Sequence, residues 1–114
     1  MKTVTAEHLL GLKPAHPMKL HAAVLAGLPV QALDTLVEAS GLEAGEVYAA
    51  LRLPLRTLAR RRSAGRLSAD EGDRLVRLAG VLAAARRLMD GNPDSARDWL
   101  RYKVPALGGR TPLE

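Results

Sequence analysis

Apolar residues recur at spacings of three and four along most of the chain, which is the pattern of helices that bury one face. Residues 1–17 sustain no such period and are expected to form a flexible N-terminal arm. A first helix is predicted over 18–26, where Gly27 ends it. A second begins at Pro29, whose missing N–H costs nothing in a first turn, and stops at Ser40-Gly41. The inward positions of these two helices are Leu20, Val24, Leu33, Leu36 and Val37.

Two further short helices are predicted on either side of a tight turn. The segment 43–51 has its acids at the N-terminus, where the helix dipole favours negative charge, and buries Val47 and Leu51. The turn is Arg52-Leu53-Pro54, and the next helix runs from Pro54 to Arg62. Its predicted buried face follows the i, i+3, i+4 spacing and consists of Leu55, Leu58 and Ala59. Two short helices joined by such a turn have the layout of a helix-turn-helix.

The match to the common helix-turn-helix pattern is incomplete. That pattern has a small residue in the first helix, a glycine in the turn and a polar cap on the second helix. Here these places hold Tyr48, Arg52 and Pro54, although Thr57-Leu58 matches the Thr-plus-apolar pair of the second helix. The helix pair is therefore either a DNA-binding unit or a scaffold without operator binding.

Arginines fill the positions between the apolar residues of the 54–62 helix. A guanidinium group can donate paired hydrogen bonds to phosphate or to a guanine edge. Between Arg52 and Arg77 there are eight arginines and three acids, an excess typical of nucleic-acid binders, although a solvated arginine-rich surface would have the same composition. The candidate DNA-binding residues are Arg56, Thr57, Arg60, Arg61 and Arg62.

The longest predicted helix begins at Ser68-Ala-Asp-Glu71, a capping box in which serine and glutamate satisfy each other's backbone N–H groups. It ends near Asp90-Gly91. Its apolar stripe fits either the core of the chain or a dimer interface, and consists of Leu75, Leu78, Leu82, Ala85 and Met89. Asn92-Pro93 then starts a last helix, and its inward residues are Ala96, Trp99 and Leu100.

The final residues contain a second complete start signal for a helix. Gly108-Gly109 permits backbone conformations that other residues resist, and Thr111-Pro-Leu-Glu114 is another capping box. A chain does not ordinarily stop within the first turn of a helix that it has begun. We therefore expect either that the natural chain continues or that it was cut where a partner-binding helix begins.

Composition narrows the class of protein. The apolar residues are mostly Leu and Ala, and Ile and Phe are absent, so an all-α fold is expected. The net charge is +5, and there is no cysteine and no apolar run of membrane-spanning length. The three histidines lack metal-ligand spacing, and no catalytic group of residues is present. The sequence therefore predicts a cytoplasmic protein that is not an enzyme and needs no metal or cofactor.

Four segments in this order resemble the Xre/MbcA/ParS antitoxin family: 53–61, 65–71, Ala96-Arg-Asp-Trp-Leu100 and Ala106-Leu-Gly-Gly-Arg-Thr-Pro-Leu113. The last two are the specific ones, because Trp-Leu followed by Leu-Gly-Gly-x-x-Pro-Leu is the signature of that family's toxin-binding domain. The resemblance covers roughly residues 28–114. It implies an Xre-like helix-turn-helix domain over 18–66 and a small helical toxin-binding and dimerisation domain over 67–114, which lacks its last helix.

The resemblance also implies partners. Family members pair with RES-domain toxins, which consume NAD, and repress their own operon. This chain would accordingly form a homodimer, bind operator DNA through the 54–62 helix and cover a toxin's active-site entrance. The toxin-binding residues would be Leu107, Gly108, Gly109, Arg110 and Pro112, with Trp99 and Leu100 packing beneath them. The alternative function is a protein-binding adaptor or regulator whose helix-turn-helix is only a scaffold.

Overall fold

The computed structural model describes residues 9–12, 17–89 and 92–103. Six helices lie wholly within these ranges, and no strand occurs there apart from one isolated antiparallel bridge between Pro29 and Arg66. The all-α class is therefore confirmed. The helices are α1 (Pro17–Ala26), α2 (Val30–Ser40), α3 (Ala44–Ala50), α4 (Leu55–Ala64), α5 (Ala69–Leu88) and α6 (Pro93–Lys103).

Local capping explains where these helices begin. At the start of α5, the Glu71 N–H donates to Ser68 Oγ at 3.2 Å, and the Ser68 N–H donates to Glu71 Oε1 at 2.8 Å. At the start of α6, the Ser95 N–H donates to Asn92 Oδ1 at 3.0 Å. The predicted capping box and the predicted asparagine cap are both confirmed, and α4 continues two residues beyond the predicted end at Arg62.

A single apolar core joins all six helices. The helix α5 packs against α1, α2 and α6, and its predicted stripe contributes to the core of the same chain: Leu75, Leu82 and Ala85 are fully buried, and Leu78 and Met89 are half-buried. The predicted inward residues of α1, α2, α3 and α6 are likewise buried or half-buried. Those that are fully buried are Val24, Leu33, Leu36, Val47, Leu51, Ala96 and Leu100.

Leu9 and Leu10 correct the expectation of a loose arm at the positions that the structure describes. Both are about 1% exposed and belong to the apolar core. Leu9 lines a pocket together with Thr35, Ala39 and other side chains of α2 and α5. Two adjacent leucines outside any helical period give no sequence signal for burial, because the surface that they cover is formed by distant residues.

The turn between α3 and α4 is a Schellman motif with an arginine in the place of glycine. The Leu53 N–H donates to the Tyr48 carbonyl at 2.9 Å, and the Arg52 N–H donates to the Ala49 carbonyl at 3.1 Å. Arg52 has φ of +54°, in the left-handed region that glycine ordinarily occupies. The turn therefore keeps the usual geometry despite the unusual residue, at a cost of about 1 kcal/mol.

Candidate nucleic-acid interface

The helix α4 is oriented differently from the prediction. Leu58 is buried at 5% exposure, as expected, whereas Leu55 is 73% exposed and Ala59 is also exposed. Because residues advance by about 100° around a helix, the inward side of α4 is centred between Leu58 and Arg61. The outward side consists of Leu55, Arg56, Ala59, Arg60, Ser63 and Ala64. The prediction that Leu55 and Ala59 are buried is wrong.

Arg56 and Arg60 lie on this outward side. Arg56 has no hydrogen bond or ion pair with any other residue in the described part of the chain. Within the described residues, the only polar contact of Arg60 is with its neighbour Thr57, whose Oγ1 lies 3.5 Å from Nη2 of the guanidinium group. Thr57 is half-buried at the edge of the same surface. These three predicted DNA-binding residues are therefore grouped together, with two guanidinium groups directed to solvent.

Arg61 is engaged inside the chain. Its Nε donates to Glu71 Oε1 at 2.8 Å, and its Nη2 donates to Glu71 Oε2 at 3.1 Å. Burial by itself raises the pKa of Glu71, but the hydrogen bonds from Arg61 and from the Ser68 backbone outweigh that effect and hold the pKa below its usual range. The same carboxylate caps α5, so the pair fastens α4 to the start of α5.

Arg62 is engaged in a similar way with α2. Its two terminal nitrogens donate to the Asp34 carboxylate at 3.0 and 2.8 Å. These hydrogen bonds lower the pKa of Asp34 and raise the pKa of Arg62. The Tyr48 side chain makes a smaller contribution to the raised pKa of Arg62. The predicted set thus divides into residues that face outward and two arginines that position α4.

Further contacts hold the helix-turn-helix against the rest of the bundle. Arg74 on α5 donates from Nε to the Leu51 carbonyl in the turn at 2.7 Å. The Val30 N–H donates to the Gly65 carbonyl at 3.1 Å, which joins the start of α2 to the end of α4. These two contacts tie the turn before α4 to α5 and the residue after α4 to the start of α2. Sequence reasoning did not identify Asp34, Glu71 or Arg74 as supporting residues.

The C-terminal candidates are only partly described. Leu100 is fully buried and Trp99 is half-buried against the core, so both pack within the chain. Arg101, on the same helix, pairs with Glu46 of α3 at 3.0 and 2.7 Å and so links α6 to the first helix of the helix-turn-helix. The remaining predicted toxin-binding residues lie outside the described ranges: Leu107, Gly108, Gly109, Arg110 and Pro112.

Across residues 9–12, 17–89 and 92–103, no three His, Cys, Asp or Glu side chains are arranged to hold a metal ion. Among the helices found in those ranges, none combines the length and the apolar character that crossing a membrane requires.

Comparison with known proteins gives two family matches. Residues 19–80 match the antitoxin Xre-like helix-turn-helix domain, and residues 84–114 match the antitoxin Xre/MbcA/ParS C-terminal toxin-binding domain. The junction between the two matches lies within α5, whereas the predicted domain boundary lies between residues 66 and 67.

Two curated relatives are similar over most of the chain. An "Antitoxin Xre" of Photorhabdus laumondii is 32% identical over 82% of this chain, and an "Antitoxin Xre" of Yersinia enterocolitica is 29% identical over 90% of it. The chain spans 64% and 70% of the lengths of these relatives. No solved structure gives a significant match.

Proposed function

Because the chain belongs to the Xre/MbcA/ParS antitoxin family, we propose that it is the antitoxin of a type II toxin–antitoxin system with a RES-domain, NAD-degrading toxin as its partner. It binds and neutralises this toxin through its C-terminal region, and as a homodimer it represses its own operon through α4. The observation that carries the proposal is the succession of a helix-turn-helix match and a toxin-binding match in one chain.

The DNA-binding half of the proposal rests on the outward side of α4. Arg56 and Arg60 present guanidinium groups that no carboxylate of the described residues neutralises. In helix-turn-helix proteins the second helix enters the major groove, where arginines contact guanine edges and phosphates. Arg61 and Arg62 hold the helix in place for this contact, a role that differs from the one the sequence suggested.

The toxin-binding half rests on the C-terminal match. Trp99 and Leu100 anchor α6 to the core, and the segment after α6 carries the candidates for direct contact. Arg110 is the strongest of these because it is a cationic side chain beside the conformationally permissive Gly108-Gly109 pair. The link from Arg101 to Glu46 joins α6 to α3.

Two variants separate the two halves in one bacterial strain. A reporter fused to the chain's own promoter measures repression, and growth during expression of a RES-domain toxin measures neutralisation. We expect the double variant Arg56→Ala, Arg60→Ala to lose repression and to keep neutralisation. We expect Arg110→Ala to weaken neutralisation and to leave DNA binding intact.

The matched control removes two exposed positive charges elsewhere, by Lys19→Ala and Arg77→Ala, and should preserve both activities. If the Arg56, Arg60 variant represses as well as the unmodified chain, the helix-turn-helix is a scaffold and the adaptor alternative is correct. If the unmodified chain does not rescue growth in the presence of the toxin, the antitoxin assignment to this partner fails.

A further inference from the structure

Leu55 is an apolar side chain in an unusual place. It is the first residue of α4, it is 73% exposed, and it lies directly beside the outward arginines. An isolated exposed leucine carries no information by itself. Its position does, because the N-terminal residues of the second helix are those that reach base edges in a helix-turn-helix complex.

The outward side of α4 consists of two adjacent rows. Leu55 and Ala59 are four residues apart and form an apolar row, while Arg56 and Arg60 are four residues apart and form a cationic row about 100° further around the helix. Both rows begin in the first turn of α4. Ser63 lies between the two rows at their C-terminal end.

Only one base edge in the major groove carries an apolar group, the 5-methyl of thymine, and leucine and alanine side chains suit contact with it. Guanine edges and phosphates suit the adjacent arginines. Resting on the proposed operator binding, we propose that Leu55, supported by Ala59, determines sequence specificity by packing against the methyl group of thymine. The operator half-site then contains a thymine within reach of the first turn of α4.

The surrounding charge favours DNA over a protein partner for this leucine. Arg56 and Arg60 lie along one side of the apolar row, and neither is paired with a carboxylate within the described residues. Covering Leu55 with an apolar protein surface would remove both guanidinium groups from water without a partner, which is costly. A duplex supplies anionic groups and an apolar methyl side by side.

The test removes one methyl group at a time. Duplexes with a randomised central region are selected for binding to the full chain, and the enriched duplex is resynthesised with single thymines replaced by uracil. For the unmodified protein, we expect at least one replacement to weaken binding about fourfold, which corresponds to roughly 0.8 kcal/mol for one buried methyl group. We expect Leu55→Ala to bind the thymine duplex about fourfold more weakly and to lose sensitivity at that position.

The control is Leu88→Ala, since Leu88 is 67% exposed and lies outside the helix-turn-helix match. This variant should keep both the affinity and the sensitivity to uracil. The inference is overturned if an enriched duplex binds equally well with uracil at every position, or if Leu55→Ala remains sensitive. It is also overturned if Leu55→Ala leaves DNA binding unchanged and lowers only the mass measured by sedimentation. That result would mean that Leu55 contacts a second copy of the chain. Failure to enrich any duplex would instead overturn the proposed DNA binding itself.

Discussion

Two leucines on α4 offer a direct test of how this helix is oriented. Leu58 is 5% exposed and is the only residue of α4 that is fully buried, whereas Leu55, three residues earlier, is 73% exposed. Truncating a buried leucine to alanine removes packed methyl groups and leaves a cavity, which costs 2–5 kcal/mol as a general rule. We expect Leu58→Ala to lower the free energy of unfolding by about 2–4 kcal/mol, and Leu55→Ala by less than about 0.5 kcal/mol.

The measurement is urea unfolding at neutral pH, followed by helical circular dichroism and by the fluorescence of Trp99, the only tryptophan. With an m-value of about 1.5 kcal/mol/M, the Leu58 variant should unfold about 1–3 M earlier than the unmodified chain. The Leu55 variant serves as the matched control, because the chemical change and the helix are the same. Equal losses for the two variants, or a larger loss for Leu55→Ala, would refute the orientation of α4 described above.

Three further changes test individual contacts. Arg52→Gly should raise the free energy of unfolding by up to about 1 kcal/mol in the same urea assay, because glycine adopts the φ of +54° without strain; a loss would contradict this account. Glu71 has a lowered pKa in the folded state. The ionised Glu71 therefore stabilises the folded protein fully at pH values above its unfolded-state pKa of about 4.3, and this stabilisation is lost as the pH falls further. Thermal melts of Glu71→Gln should accordingly show a weaker loss of stability below about pH 4.5 than the unmodified chain, and parallel curves would contradict the pairing. Gly27→Ala should destabilise by about 1–3 kcal/mol, because φ is +101° and a Cβ would lie 3.0 Å from a backbone oxygen; Gly80→Ala, where a Cβ meets nothing within 4 Å, should not destabilise.

Local signals in the sequence are sufficient to predict where most of the helices begin and end. The capping box at Ser68 and Glu71, the asparagine cap at Asn92 and the glycine after α2 act within a few residues, so the chain alone specifies them. The period of α5 extends over 20 residues and predicted its buried face well. The family resemblance, based on the short motifs near Trp99 and Gly108-Gly109, is confirmed by the two matches.

The orientation of α4 could not be obtained in this way. A helix of ten residues with four apolar positions can turn either of two faces inward, and its own sequence does not choose between them. Here the choice depends on contacts from elsewhere: Arg61 pairs with a residue ten positions away, and Arg62 with one 28 positions away. The burial of Leu9 could not be predicted for the same reason, because Leu9 lies beside residues of α2 and α5 that are distant in the sequence.

Arg52 shows a second kind of limit. Its place in the turn is ordinarily occupied by glycine, and from the sequence this replacement was a reason to doubt the helix-turn-helix. The backbone nevertheless adopts the left-handed conformation, since the two hydrogen bonds of the Schellman motif and the buried Leu53 hold it there. The turn therefore has the usual helix-turn-helix geometry, although its sequence departs from the usual residue pattern.

The central claim is that Arg56 and Arg60 contact DNA while Arg61 and Arg62 position the helix that carries them. The most direct measurement is the affinity of a selected duplex, by fluorescence anisotropy, for the unmodified chain, for Arg56→Ala with Arg60→Ala, and for Lys19→Ala with Arg77→Ala. With at least about 1 kcal/mol for each base contact, the first double variant should bind about 30-fold more weakly or worse, and the charge-matched second variant should bind about as tightly as the unmodified chain. Equal weakening in the two double variants would contradict the claim, because it would mean that Arg56 and Arg60 affect binding only through the net charge of the protein.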